Sequence, residues 1–417
     1  NPLQKKVWEL RRKALEEYSK RGPEQARQAS QGMRGFANSL KRLSGQQEGL
    51  LNPRLFAKKE AEEKELRDRL AQKPELARQY APAWERIADA QRALAPMANR
   101  IAFSNVAASR FATMALQLTT YHIEMQKPNN ERYAEYRDTR LSALRSSLLS
   151  PAPIYPEMEE AALTSWLENA RRELGPNDPF IRAALGDAEP AEVVGRAVRE
   201  TKLSDVEVRK ALLEGKADAL FRSDDPMIML AKRIEPVLRE LRLWNEKNVL
   251  NVETANGTKI AESRFAVYGK TMPPDANSQL RICYGVVSGY EEDTTLVPYK
   301  TTFFGLYDRA ISFGERPPFN LPARLMERRG QVDMATPLNF VYTADTIGGN
   351  SGSPVINRDG EIIGVNFDSN LQKLSNRYWY IEADEGSRAV GVHTAGISEA
   401  LRKIYEADRI VAELASR

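Results

Sequence analysis

Two periodicities divide the chain. From residue 1 to about residue 250, apolar side chains recur every three or four positions, the spacing of one helix face. Val7, Trp8, Leu10, Leu15 and Tyr18 predict a first amphipathic helix, closed by the break Gly22-Pro23. Further helices are predicted over 25–50 and over the charged stretch 55–72, which stops before Pro74. Another is predicted over 80–126, carrying Trp84, Ile87, Leu94, Phe103, Phe111 and Leu118, and another over 132–149. Pro151, Pro153 and Pro156 mark a kink, and helices resume over 157–174, 190–201, 204–221 and 226–245. No fixed internal period appears, which argues against a solenoid.

Near Asn251 the pattern changes to short alternating runs rich in Gly, Thr, Val and Tyr. Strands are predicted in LRICYGVVSGY (280–290), TTFFGLYD (301–308), NFVYTAD (339–345), SPVIN (353–357), EIIGVNFD (361–368), YWYIEA (378–383) and RAVGVHT (388–394). Short strands parted by Gly, Pro and Asp turns imply a small antiparallel barrel or sandwich. The stretch 397–415 sets Leu401, Ile404, Ile410, Val411 and Leu414 on one side of a last helix. The expected architecture is multidomain α and β: an all-helical domain over 1–250, then an antiparallel β-domain with a C-terminal helix over 251–417.

Composition adds limits. A chain of 417 residues holds two or three cores, and 42% apolar with 28% charged residues is ordinary for a globular protein. The net charge of +4 comes from interleaved acids and bases, so nothing calls for nucleic acid or an anionic membrane. No apolar run approaches the roughly 18 residues of a membrane span. The single cysteine, Cys283, excludes an internal disulfide, and its apolar setting predicts a buried, inert thiol. No HExxH or comparable cluster points to a metal, and no cofactor is expected. The chain opens at Asn1 straight into a helix, with no initiator Met or leader, and is read as a piece of something longer.

The chemistry concentrates in one stretch, TIGGNSGSPVINRDGEIIGVNFD, from Thr346 to Asp368. A glycine-rich turn, Gly348-Gly349-Asn350-Ser351-Gly352-Ser353-Pro354, feeds a hairpin. Glycine tolerates positive φ, so the backbone there can curl until neighbouring N–H groups converge on one spot. A serine on such a turn sets its hydroxyl beside those donors, as acyl transfer requires of a nucleophile and its oxyanion hole. GNSGSP resembles the nucleophile loop of chymotrypsin-fold serine peptidases, which makes Ser351 the expected nucleophile; the alternative is a structural or decayed loop.

A serine nucleophile needs a base, most often histidine oriented by a carboxylate. The chain has two histidines. His122 lies in a helical stretch and is expected to pack there. His393 follows the serine, whereas the chymotrypsin-like order puts base and carboxylate before it. The expectation is that the catalytic His and Asp lie on an N-terminal half absent from this chain.

RFAVYG, PPDANSQLRICYGVVSGY, TTFFGLYDRA and NFVYTADTIGGNSGSPVINRDGEIIGVNFDSN together resemble the bacterial dipeptidyl-peptidases of serine peptidase family forty-six. Members release dipeptides from free peptide N-termini, and their chymotrypsin-like double β-barrel carries a helical cap domain inserted between the barrels. The resemblance implies that this chain is the cap plus the second barrel. It implies Ser351 as nucleophile and the Gly349 and Ser351 amides as oxyanion hole. Asp368 matches the aspartate that binds the substrate's α-amino group, and Asn38, in GFANSLKRLSGQQEGL, is similar to a cap asparagine with the same task. Ser369 follows that aspartate, where glycine leaves an open apolar P1 pocket and arginine selects acidic residues. A small or apolar P1 residue is therefore expected.

AVGVHTAGISEALRKIYEAD departs from the V-D-x-R type of strand in better-known members. The resemblance further implies a periplasmic or secreted homodimer acting on peptides with a free N-terminus. The competing expectation is a catalytically inactive peptidase fold that binds peptides or partners.

Overall fold

The computed structural model describes residues 2–269, 280–378, 380 and 386–415. It divides into two compact units, Asn1–Leu43 with Glu62–Pro273, and Ser44–Ala61 with Pro274–Arg417.

The first unit is helical. Proline opens many of its helices: Pro23–Leu51, Pro74–Tyr80, Pro82–Leu94, Pro156–Leu174, Pro179–Leu185, Pro190–Glu200 and Pro226–Asn245 all begin on one. The ring fixes φ near its helical value, and its missing N–H would have no partner in the first turn anyway. The predicted helix over 80–126 is instead a series: Pro82–Leu94, Ala98–Phe103 and Arg110–Glu124, with the last capped by the Ser109 hydroxyl. Pro179–Leu185 was not predicted, and 132–149 contributes only the helix Asp138–Leu148 with short turns before it.

The expected switch to strands at residue 251 does not occur there. Pro226–Asn245, a π-turn over Glu246–Leu250 and Asn251–Tyr268 run on as helix. Asn251–Tyr268 has no amphipathic pattern, but extending an existing helix avoids the cost of nucleating a new one. The main core gathers Phe103, Phe111, Leu118, Leu163, Trp166, Phe180, Ile228 and Ile234. His122 is buried in this unit and its Nε2 bonds the Leu212 carbonyl at 2.7 Å, a packing role.

The second unit holds the strands: β1 (Tyr290–Glu292), β2 (Thr295–Val297), β3 (Lys300–Thr302), β4 (Pro337–Tyr342), β5 (Pro354–Ile356), β6 (Ile362–Ser369) and β7 (Ala389–His393). β1 and β2 form a hairpin, and the other five make an antiparallel sheet in the order β3-β4-β7-β6-β5. Among the described residues this sheet is open, with three-residue strands at both edges. The closed barrel that the strand pattern predicts is therefore not formed by them. One face packs Phe340, Tyr342, Ala344 and Ala389 with Val355 and Ile363. A second cluster joins Phe303, Tyr307 and Val332 to Ile404 near the C-terminus.

Several predicted elements differ. After β3, TTFFGLYD turns into the helix Phe303–Ser312, which buries Phe303, Tyr307 and Ala310 at helical spacing. The last helix is broken into Thr394–Glu399, a π-turn at Ala400–Ile404, and Asp408–Ala415. Most of YWYIEA lies outside the described residues, as does the PPDANS stretch. The run from Leu280 forms no long strand: it bridges Val287 to Tyr342, with Ser288 and Val286 bonded to Val341 and Thr343, and its last residue, Tyr290, opens β1. Leu280 is 96% and Tyr284 91% exposed, and Cys283 is exposed rather than buried. Residues 44–61 belong to this unit, where a side chain at Gly45 would collide with Leu374. Gly45 thus sits inside the helix Pro23–Leu51 to permit close approach, not to end it.

Candidate active site

β4 delivers the chain to the serine loop. Its last residue, Tyr342, is buried, and the Tyr342 phenol donates to the Asn366 side-chain oxygen on β6. Burial above all, with a smaller effect of Cys283, pushes that phenol up to about 12. Asn366 in turn holds the loop with its backbone. Its carbonyl accepts from the Gly352 amide at 2.7 Å, and its amide donates to the Ser353 carbonyl at 2.9 Å. A polar residue at an inward strand position is the signal in the sequence that could have singled out Asn366.

Inside the loop, the Asn350 side chain accepts from the Ile347 amide at 3.0 Å, and the Asn350 carbonyl accepts from the Ser353 amide at 3.1 Å. Gly349 at φ 107° and Gly352 at φ 88° make the two reversals that a side chain would resist. The amides of Asn350, Gly352 and Ser353 are thus all bonded. Those of Gly349 and Ser351 make no hydrogen bond among the described residues. Both residues are exposed.

The Ser351 hydroxyl donates to the Phe367 carbonyl at 3.3 Å. Phe367 is the extra residue of a β-bulge: Asn366 pairs with Gly391 and Asp368 with Val390, leaving it without an opposite number. Such a bulge re-aims the side chains that follow it. Asp368 comes next and is exposed, and its carboxylate accepts from the Ser369 amide at 2.8 Å. Ser369 is half-buried, opposite Ala389. Ser351 is therefore bonded to the residue directly before Asp368, and Ser369 to the Asp368 carboxylate. Asn38 lies in the first unit, exposed on the helix Pro23–Leu51.

His393 does not join them. It pairs with Gly364, three residues along β6 from Phe367, a backbone offset of roughly 10 Å. Its Nδ1 accepts from the Ala395 amide at 3.0 Å and caps the helix Thr394–Glu399. Burial, then the charge of Lys300, lowers its pKa.

Two buried cations near the site escaped the sequence reading. Lys373 donates to the Ala344 carbonyl at 2.8 Å, fixing the start of the loop, and burial lowers its pKa. Arg388 donates to the carbonyls of Ser288, Gly289 and Ser387. Among the described residues no cluster of three His, Cys, Asp or Glu is arranged to hold a metal. No described helix is long and apolar enough to cross a membrane.

The family model described as Peptidase S46 matches residues 1–416. The Asp/Glu-specific dipeptidyl-peptidase of Shewanella putrefaciens is 26% identical over 99% of this chain and 60% of its own length. Dipeptidyl-peptidase 7 of Phocaeicola vulgatus is 40% identical over 24% of the chain. The crystal structure of Porphyromonas endodontalis DPP11 in complex with the dipeptide Arg-Asp superposes with a TM-score of 0.72. That likeness, at 19% identity, covers 99% of this chain and 60% of the DPP11 chain and concerns the fold. The chain thus spans about three-fifths of the length of the Shewanella relative and of the DPP11 chain.

Proposed function

The chain belongs to the peptidase S46 family, and we propose from that premise that it carries the nucleophile and amino-terminus recognition of a serine dipeptidyl-peptidase. Ser351 attacks the carbonyl of the second residue of a peptide. The Gly349 and Ser351 amides receive the oxyanion, and water then releases the dipeptide from the acyl-enzyme. One observation carries this reading: the exposed Ser351 lies on a tight loop whose Asn350, Gly352 and Ser353 amides are bonded while those of Gly349 and Ser351, like that of Gly348, make no hydrogen bond among the described residues. Asp368, which follows the bulge at Phe367, pairs with the substrate's ammonium.

The base is neither histidine of this chain, since His122 is bonded within the helical core and His393 caps a helix. A His–Asp pair supplied by a further part of the polypeptide completes the site, in a chymotrypsin-like barrel and a secreted or periplasmic dimer.

The P1 residue is small or apolar. Ser369 brings no cation, and the buried Lys373 and Arg388 are both turned to backbone carbonyls. The Shewanella relative's acidic specificity is the contrary expectation. Fluorogenic dipeptidyl substrates with free and blocked N-termini test the reading on the native polypeptide. Turnover of free substrates only, with Ala or Val at P1 preferred over Asp, supports it. Equal cleavage of blocked substrates overturns amino-terminus recognition, and an Asp preference overturns the P1 assignment.

A further inference from the structure

A pocket of about 320 Å³ opens within the helical unit, away from the serine loop in sequence. Its walls are aromatic and aliphatic: Trp8, Phe36, Met158, Ala162 and Trp166 among them. Trp8 and Phe36 touch ring to ring at 5.4 Å. Trp166, 2% exposed, is fixed by its indole N–H donating to the Asn105 carbonyl at 2.7 Å.

Into this apolar setting the chain places Arg11. Its guanidinium carbon lies 4.7 Å from the Trp166 ring centre and 5.5 Å from that of Trp8. One terminal nitrogen donates to the Asn105 side-chain oxygen at 2.8 Å. Its Nε is buried with no hydrogen-bond partner, and Arg11 has no carboxylate within ion-pair distance among the described residues. A half-buried cation without a counter-charge is costly, and its burial lowers its pKa.

The other charges of the wall are already engaged. Glu159 accepts from the Ser109 hydroxyl and from the Arg110 and Phe111 amides, while Arg110 donates to the Pro153 carbonyl at 2.9 Å. The contrast with a larger cleft nearby is informative. There Arg239 pairs with Glu124 and Glu235, and Arg242 with Glu135 and Glu246, so the cations set into that cleft are neutralised and the further one, Arg140, is exposed to solvent.

We propose that this pocket binds a small apolar monocarboxylate, its hydrocarbon body among Trp8, Phe36, Met158 and Trp166 and its carboxylate on Arg11. The volume suits a molecule of about a dozen non-hydrogen atoms. The carboxylate supplies the acceptor that Arg11 Nε lacks, and the guanidinium, held between two indoles, is preorganised for it. A phosphate or a dicarboxylate is disfavoured, because the other cation of the wall, Arg110, is exposed and already donates to the Ala152 and Pro153 carbonyls.

The test uses the whole chain, with phenylbutyrate and the isosteric phenylbutanol as probes. Binding is read by tryptophan emission, since Trp8 and Trp166 line the site, and by calorimetry. The expected result is saturable binding of the acid, at least about tenfold tighter than the alcohol, the scale of one charged hydrogen bond. Arg11→Met is expected to reduce the acid to the level of the alcohol, and Ala162→Leu, which fills the pocket, to weaken both. Equal binding of acid and alcohol by the unaltered chain overturns the proposal without any variant. So does the absence of saturable binding, or acid binding that survives both substitutions in variants whose circular dichroism is unchanged.

Discussion

The Ser351 hydroxyl donates to the Phe367 carbonyl at 3.3 Å, and Phe367 is the bulged residue directly before Asp368. One backbone irregularity therefore lies beside both the proposed nucleophile and the carboxylate proposed for the substrate's amino group. In the native polypeptide, Ser351→Ala is expected to abolish dipeptide release. Asp368→Asn is expected to lower kcat/KM on free-N-terminus substrates by about 10- to 100-fold, as befits one charged hydrogen bond. Steady-state kinetics on both variants checks this; an Asp368→Asn enzyme with native kcat/KM contradicts the assigned role.

The loop depends on the strand beneath it. Phe340 packs over two glycines, and a Cβ on Gly364 would sit 2.5 Å from the Phe340 ring and from the Val392 carbonyl. Gly364→Ala is therefore expected to destabilise the β unit by about 1–3 kcal/mol. Denaturant unfolding measures it, and an unchanged midpoint excludes the close packing described.

Tyr342→Phe leaves the buried Asn366 side-chain oxygen without its donor, at a cost of about 1–3 kcal/mol. The same phenol, pushed up to about 12, stays protonated where a free tyrosine ionises near pH 10. A raised pKa stabilises the fold below the ordinary value, and that contribution is lost as the pH climbs from about 10 toward 12. Absorbance titration of wild type against Tyr342→Phe should show one missing late-titrating tyrosine. Identical titration curves contradict the assignment.

His393 acts in the opposite direction of pH. Its pKa is lowered by burial and by Lys300, and its neutral Nδ1 caps a helix. A lowered pKa contributes stability above the ordinary value near 6.5, lost as the pH falls below it. His393→Asn keeps a capping oxygen but does not titrate. Wild type is expected to lose stability relative to His393→Asn between about pH 7.5 and pH 5, by urea unfolding at both. A pH-independent difference rules out the cap.

Much of the β unit was legible because alternation and turn chemistry agree there: β5 and β7 fall within predicted runs, and β4 and β6 overlap theirs. The serine loop was legible from its glycines. The run from Leu280 misled in its first half, because alternation reports a strand's capacity to pair but not how much of it is paired: residues 286–288 bond to 341–343 at the end of β4, whereas Leu280 and Tyr284 stand exposed. TTFFGLYD misled because β-branched and aromatic residues open a segment whose Phe303, Tyr307 and Ala310 are also one helix face. Asn251–Tyr268 was missed because its helix continues one already formed, a matter of context that its own residues do not carry. Asn366, Lys373 and Arg388 were missed because a buried polar group is recognised by its partners, and those come from distant segments.

The most direct test of the central claim is covalent labelling. The native polypeptide, treated with a serine-directed dipeptidyl phosphonate bearing a free amino terminus, is digested and mapped by mass spectrometry. Modification at Ser351, lost in Ser351→Ala and blocked by prior addition of a dipeptide product, is the predicted result. A catalytically active polypeptide that is modified at another serine, or not at all, contradicts the account.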